Sequence, residues 1–162
     1  MMDGMTRLVS AGILLWRRTD GRVEVLLGHP GGPFFAARDA GHWTVLKGEV
    51  ERGEDPFAVA RREFEEETGH APPDGPAADL GEIRQRGGKR VVAWGLEGDL
   101  DPSSCWSNTF EVEWPPRSGR LRGFPEIDRV AWFDLVAARV AIRDAQVPLL
   151  DRLEDALGAP ST

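Results

Sequence analysis

Between Gly48 and His70 the chain carries a dense set of carboxylates, and their spacing is what could do chemistry. Glu63, Glu66 and Glu67 stand at i, i+3 and i+4, so on a helix all three project from one side. That side borders an apolar stripe of Phe57, Ala60 and Phe64, which predicts partial burial of the acids. Like charges at this spacing repel, and burial strengthens the repulsion. Glu54 adds another acid just ahead, while Arg62 lies about one turn from Glu66. Such a cluster needs a counter-charge. A hard divalent cation bound through carboxylate oxygens supplies one, and Mg²⁺ keeps waters and bridges to substrate phosphates. A solvated acidic helix face is the commoner meaning of a glutamate run, so the surrounding spacing has to decide.

The element that must present these acids is readable from its ends. Asp55 is a good N-cap, Pro56 suits the first helical position, and Gly69 can take the left-handed conformation that closes a helix. A helix over Pro56–Thr68 follows. Gly48, Glu54 and the run Arg62-Glu63-Phe64-Glu65-Glu66-Glu67-Thr68-Gly69 together resemble the Nudix box, a glycine, a glutamate and an Arg-Glu-hydrophobic-any-Glu-Glu-any-Gly ending. His70 departs from it, standing where the box has a hydrophobic residue. It follows the helix cap, away from the acids, so the expected effect is on packing and not on chemistry.

The resemblance implies a hydrolase in which box carboxylates bind one to three Mg²⁺ or Mn²⁺ ions. Carried over by position, Glu63, Glu66 and Glu67 would be metal ligands, with Glu67 and Glu63 ranked first and the Gly48 carbonyl assisting. Arg62 and Glu54 would form an ion pair joining helix to loop. Family members often take a further acid from a loop before a late strand. Glu126, in GFPEID ahead of Trp132, fits best, with Glu111, Glu113 and Glu97 as rivals. The lead-in Trp43-Thr-Val-Leu-Lys47-Gly48 is similar to the Trp…Pro-Lys-Gly lead-in of Nudix enzymes acting on dinucleoside or diphosphoinositol polyphosphates, with Leu46 in place of the proline. Lys47 could pair with a polyphosphate oxygen, and the chain has only two lysines against eighteen arginines.

Other candidates are scattered. The long segment Gly28–Gly41 holds Phe34 and Phe35, which could stack on a base, and Arg38, which could reach a phosphate. A plugged core and a solvated arginine are the competing reading. Arg84, Arg86, Lys89 and Arg90 cluster near a hairpin turn, and Arg117, Arg120 and Arg122 in a basic loop; both sets could hold phosphates or simply be solvated. His29 and His42 lack a second histidine at ligand spacing, so a structural or substrate-bonding role is preferred to metal ligation. Cys105 is the single cysteine, which excludes an internal disulfide, and nothing near it supports a nucleophile.

Composition bounds the rest. A chain of 162 residues, 41% hydrophobic and 29% charged, reads as one domain over residues 1–162 with an ordered core of about 7–157. The net charge of −7 argues against a nucleic-acid polymer or a membrane surface as partner. With no membrane-length apolar run and no signal-peptide core at the N-terminus, a cytoplasmic location is expected. Homodimerisation is an expectation from the frequency of two-fold dimers alone.

Strands are expected over residues 7–18, 23–27, 43–46, 80–85, 90–96, 110–114 and 130–133, with helices from Asp134 to about Arg143 and over 147–157 and a frayed tail at 158–162. This pattern is an α+β, mixed α/β/α sandwich. The resemblance sharpens it to the Nudix fold, a mixed sheet with the box loop-helix-loop at one edge. The expected function is metal-dependent cleavage of a diphosphate linkage in a nucleoside diphosphate derivative, a dinucleoside polyphosphate first. Pyrophosphohydrolysis of (oxidised) nucleoside triphosphates is the alternative. A catalytically inactive nucleotide-binding regulatory module is the rival from another class.

Overall fold

Residues 8–158 are described by the computed structural model. Arg7, expected to begin the first strand, and residues 159–162 of the expected tail lie outside them. The architecture is organised on β1 (Val9–Thr19), whose residues Ala11–Trp16 are all buried. Burial of consecutive residues means both faces of the strand are covered. Alternation sorts them: Leu14 and Trp16 enter one core with Val25, Leu27, Leu149 and Leu153, while Ile13 and Leu15 enter another with Leu26, Val59 and Phe64. Helices therefore cover both faces of one sheet.

The strands are β2 (Arg22–Pro30), β3 (Leu46–Glu49), β4 (Ala77–Arg84), β5 (Arg90–Glu97) and β8 (Ile127–Asp134), in the order β4-β5-β1-β2-β8 with β3 also on β1. The β1–β5 pairing is parallel and the rest are antiparallel, so the sheet is mixed. A separate hairpin joins β6 (Thr109–Glu113) to β7 (Leu121–Pro125). Helix α1 (Pro56–Thr68) lies on one face; α2 (Leu135–Ala141) and α3 (Val147–Ala156) cover the other.

Two expectations are corrected. The strand read over 43–46 begins at Leu46, because pairing with β1 runs from Ile13↔Leu46 to Ser10↔Glu49; Trp43 and Thr44 make only isolated bridges to Ile142 and Gly28. The basic loop after Pro116 is in part a strand, since Leu121–Pro125 pairs with Thr109–Glu113. The remaining shifts are at strand and helix ends, with α2 stopping at Ala141 short of Arg143.

What fixes the segment ahead of β3 is a buried amide. Gln146 is fully buried; its Oε1 accepts from Val45 N at 2.9 Å, and its Nε2 donates to Thr44 Oγ1 at 3.0 Å and Gln85 Oε1 at 2.9 Å. One side chain at the start of α3 thus ties the entry to β3 to the β4–β5 turn. Buried polar groups stripped of partners are costly. Gln146→Ala should lower unfolding free energy by about 2–3 kcal/mol, read from urea titration with an unchanged slope; a loss under about 0.5 kcal/mol would mean the network is not holding this corner.

Candidate functional site

The antiparallel register Gly12↔Lys47 and Ala11↔Gly48 makes Lys47 and Gly48 strand residues rather than loop residues. Leu46 joins the core with Phe64, and alternation turns Lys47 away from it into a cleft. On the helix side, Asp55 caps α1 by accepting from Ala58 N at 3.0 Å, and Gly69 closes it at φ 79°. With Phe64 fully buried as the anchor, the helix can rotate little, so its acids face β3. Glu67 is only 6% exposed and accepts from Lys47 N at 3.1 Å. Gly48 has a steric reason to be glycine: a β-carbon there would overlap the Glu63 carboxyl.

Glu126 comes from far along the chain, at the single residue between β7 and β8. Its N–H donates to Asn108 O at 2.8 Å, and Asn108 N donates to Glu66 O at 2.9 Å, so the hairpin base hangs from the end of α1. Its own carbonyl accepts from Gly31 N at 2.9 Å. Glu63, Glu126, Lys47 and Gly48 line one cleft of about 480 Å³ together with Ser10, Glu49, Gln85, Lys89 and Arg143. Glu67 lines the adjoining one with Trp106 and Asp128.

The electrostatics are those of an under-compensated acidic cluster. Burial, then Glu63, push Glu67 well above the usual carboxylate range, against the opposing pull of Lys47. Burial and Glu66 push Glu63 up, and the same two causes raise Glu126. Glu54 is displaced the other way, held down by the Arg62 guanidinium at 2.8 Å and by the Glu51 amide. Arg62 also approaches Glu63 at 3.6 Å and Glu66 at 3.9 Å, too far to neutralise either fully. Among the described residues no three ligating side chains close on one point, so the grouping is electrostatic rather than a finished coordination shell. Its donors are all oxygen, which suits a hard divalent ion, and a bound cation would relieve the mutual repulsion.

Other sequence candidates fall elsewhere. Phe34 is 58% exposed and packs edge-on against Trp114, with ring centroids 5.4 Å apart. Phe35 sits beneath the Arg143 guanidinium at 5.9 Å, which brings it to the cleft margin. The Arg38 side chain is exposed; it is the Arg38 carbonyl that is engaged, by His29. His29 is fully buried between that carbonyl and Asp128 Oδ1 at 2.9 Å. Arg117, Arg120, Arg122, Glu111, Glu113 and Glu97 do not line the cleft, and Arg90 pairs with Glu82. His70 is turned to Ser104 Oγ at 2.9 Å. The cleft residues missed in the sequence are Ser10, Glu49, Gln85 and Arg143, which no spacing rule links; Lys89 was legible only as one of the cations clustered near the hairpin turn.

Comparison with known proteins bears on this arrangement. A family model described as NUDIX domain matches residues 6–153. An octanoyltransferase of Myxococcus xanthus is 33% identical over 132 residues, covering 82% of this chain and 32% of that protein, so the chain spans about a third of the length of this curated relative. Among solved structures, the NUDIX domain of Shewanella oneidensis NrtR complexed with ADP ribose superposes with a TM-score of 0.64 at 16% identity, covering 94% of this chain and 89% of that one. A Caenorhabditis elegans Ap4A hydrolase binary complex gives 0.62 at 22% identity, covering 93% and 97%. At these identities the likeness shows the fold alone. No helix among the described residues is long and apolar enough to cross a membrane.

Two outcomes follow from the geometry. Gly48→Ala should displace Glu63 and lower stability by about 1–3 kcal/mol; an unchanged melting temperature would show that the carboxyl moves aside freely. Burial and Asp101 push the Cys105 thiol up to about 11, so its thiolate fraction at neutral pH is small. Alkylation by iodoacetamide at pH 7.5 should run roughly 100-fold slower in the folded than in the urea-unfolded chain, and equal rates would contradict the burial.

Proposed function

The chain belongs to the Nudix family, and we propose that it is a metal-dependent hydrolase cleaving a diphosphate linkage in a nucleoside diphosphate derivative, with dinucleoside polyphosphates as the preferred class. The observation that carries this reading is the gathering of the carboxylates Glu63 and Glu126 with Lys47 in one cleft beside Gly48, with Glu67 near enough to feel all three charges. Carboxylates without enough counter-charge favour a divalent cation, and a cation beside them favours the anionic oxygens of a phosphate.

In this reading Glu63, Glu66 and Glu67 hold Mg²⁺ or Mn²⁺, with the Gly48 carbonyl assisting. Such an ion, when bound, neutralises phosphate charge and lowers the pKa of water. The chain's own residues do the rest. The Arg62–Glu54 pair fixes the helix against its lead-in loop, so the three acids keep their spacing. Lys47 takes a phosphate oxygen. Glu126, held by backbone bonds on both sides and made more basic by burial and Glu66, accepts the proton of the attacking water. Phe35, at the cleft margin, is placed to flank a base, whereas Phe34 and Arg38 are further out and would have to act from the rim. The ligands named for two proteins of like fold, ADP ribose and Ap4A, both contain a nucleoside diphosphate, which supports the substrate class.

The test is phosphate release from diadenosine tetraphosphate, ordinary and oxidised dGTP, ADP-ribose and a diphosphoinositol polyphosphate, with Mg²⁺ or Mn²⁺. Turnover should require the metal, favour the dinucleotide, and fall by about 100-fold or more in Glu67→Gln. In parallel, Mg²⁺ should raise the melting temperature of the wild type and not of the variant. A preference for a triphosphate would replace the substrate and keep the site. Absence of metal-dependent turnover on every compound would overturn the hydrolase reading in favour of a binding module.

A further inference from the structure

The same cleft also holds a set of cations, of which the chemistry proposed above uses only Lys47. Lys47 comes from β3, Lys89 from the turn between β4 and β5, and Arg143 from the connection after α2. These include both lysines of the chain. None of the three side chains makes a hydrogen bond or ion pair among the described residues, whereas Arg17, Arg61, Arg62, Arg90 and Arg139 each reach a carboxylate. Other arginines, Arg18, Arg22 and Arg84 among them, are likewise without an ion pair among the described residues; what sets these three apart is that they line one cleft.

They also repel each other. Burial first, and then Arg143 and Lys89, depress the Lys47 ammonium, against Glu67 and Glu49. Backbone bonds nevertheless hold the carriers: Arg143 N donates to Trp43 O at 2.9 Å, and Gln85 N donates to Lys89 O at 2.7 Å across the turn. Gln85 adds a neutral donor, because its Oε1 is taken by Gln146, leaving its amide N–H groups for the cleft. Lysine, arginine and an amide so oriented offer donors only. A ligand for this set must be an acceptor-rich anion. A chain of phosphates offers acceptors to donors that come from three separate elements, which a single carboxylate or an uncharged sugar does not.

We infer that Lys89 and Arg143, acting with Lys47, form a second phosphate station that selects substrates carrying further phosphates beyond the linkage being cleaved. The inference rests on the proposed cleavage at the neighbouring acids for its meaning as specificity, but not for its binding chemistry. It favours oligophosphate substrates over nucleoside diphosphates ending in a neutral sugar.

The direct probe is inorganic tripolyphosphate, titrated calorimetrically into the intact protein with Mg²⁺ present, with orthophosphate for comparison. Wild type should bind tripolyphosphate at least tenfold more tightly than orthophosphate, and Lys89→Gln and Arg143→Gln should each weaken it by roughly tenfold. Each loss should come with a shallower salt dependence. Lys89→Arg should retain affinity, and Arg122→Gln, on the hairpin outside the cleft, should bind as wild type. Wild-type affinity in both glutamine variants, or no preference for tripolyphosphate in wild type, overturns the station. If that happens while turnover remains sensitive to Glu67→Gln, the hydrolase reading stands without it. If the variants lose affinity in a protein with no metal-dependent turnover, the station stands and the hydrolase reading falls.

Discussion

Burying a carboxylate next to others of its kind is the constraint from which the rest of this structure follows. Glu67 sits at 6% exposure with Glu63 and Glu126 acting on it, and each lies in an environment that disfavours its charged form. A stable domain tolerates such a grouping only where many other contacts hold it. Here the compensation is partial by construction. Lys47 N–H donates to Glu67, Arg62 touches Glu63 and Glu66 only at long range, and Arg62's short bond goes to Glu54 instead. The arginine thus stiffens the lead-in without quenching the cluster. What is left over is an affinity for cations.

Holding that arrangement takes a rigid platform, and β1 provides it. Because its central residues are buried on both sides, β1 can register β3 on one edge while its two faces anchor α1 and α3. Phe64 locks α1 against this platform, so the acids one turn either side have little freedom to separate. The hairpin β6–β7, by contrast, pairs in strand fashion only with itself; its base is bonded to the body through Asn108, Ser107 and Gly31, and at its far end Trp114 packs on Phe34. Glu126 lies at that base. Its backbone is therefore fixed by bonds to Asn108 and Gly31.

How much of this could be read in the sequence depended on the range of the forces. The bounds Pro56–Thr68 of α1 are local, fixed by Asp55, Pro56 and Gly69, and the sequence reading of them agrees with the structure. The start of β3 is not local. Trp43 and Thr44 look strand-like, yet the register with β1 begins at Leu46, and the preceding residues are held by Gln146 from the far end of the chain. Strand β7, with Arg, Gly and Pro among five residues, has little intrinsic preference for a strand and forms because β6 is opposite. Lys89 was visible only as one of four cations near a turn, where a solvated tip is the commoner case, and Arg143 carried no signal, since only the folded chain brings it near Lys47.

That division between legible and illegible residues has a physical origin. The spacing i, i+3 and i+4 puts three acids on one helix face, so the acidic half of the site is written contiguously and can be found as a motif. Three cations serving an extended anion must instead be spread along its length, farther than adjacent turns of one helix can reach, and so come from separate elements. In this fold they come from β3, the β4–β5 turn and the segment after α2. The last two are surface connections, where substitutions cost the core little. The cationic set can therefore vary while the acidic helix stays fixed, which lets one chemistry be redirected among phosphate-bearing ligands by changing residues that no local pattern records.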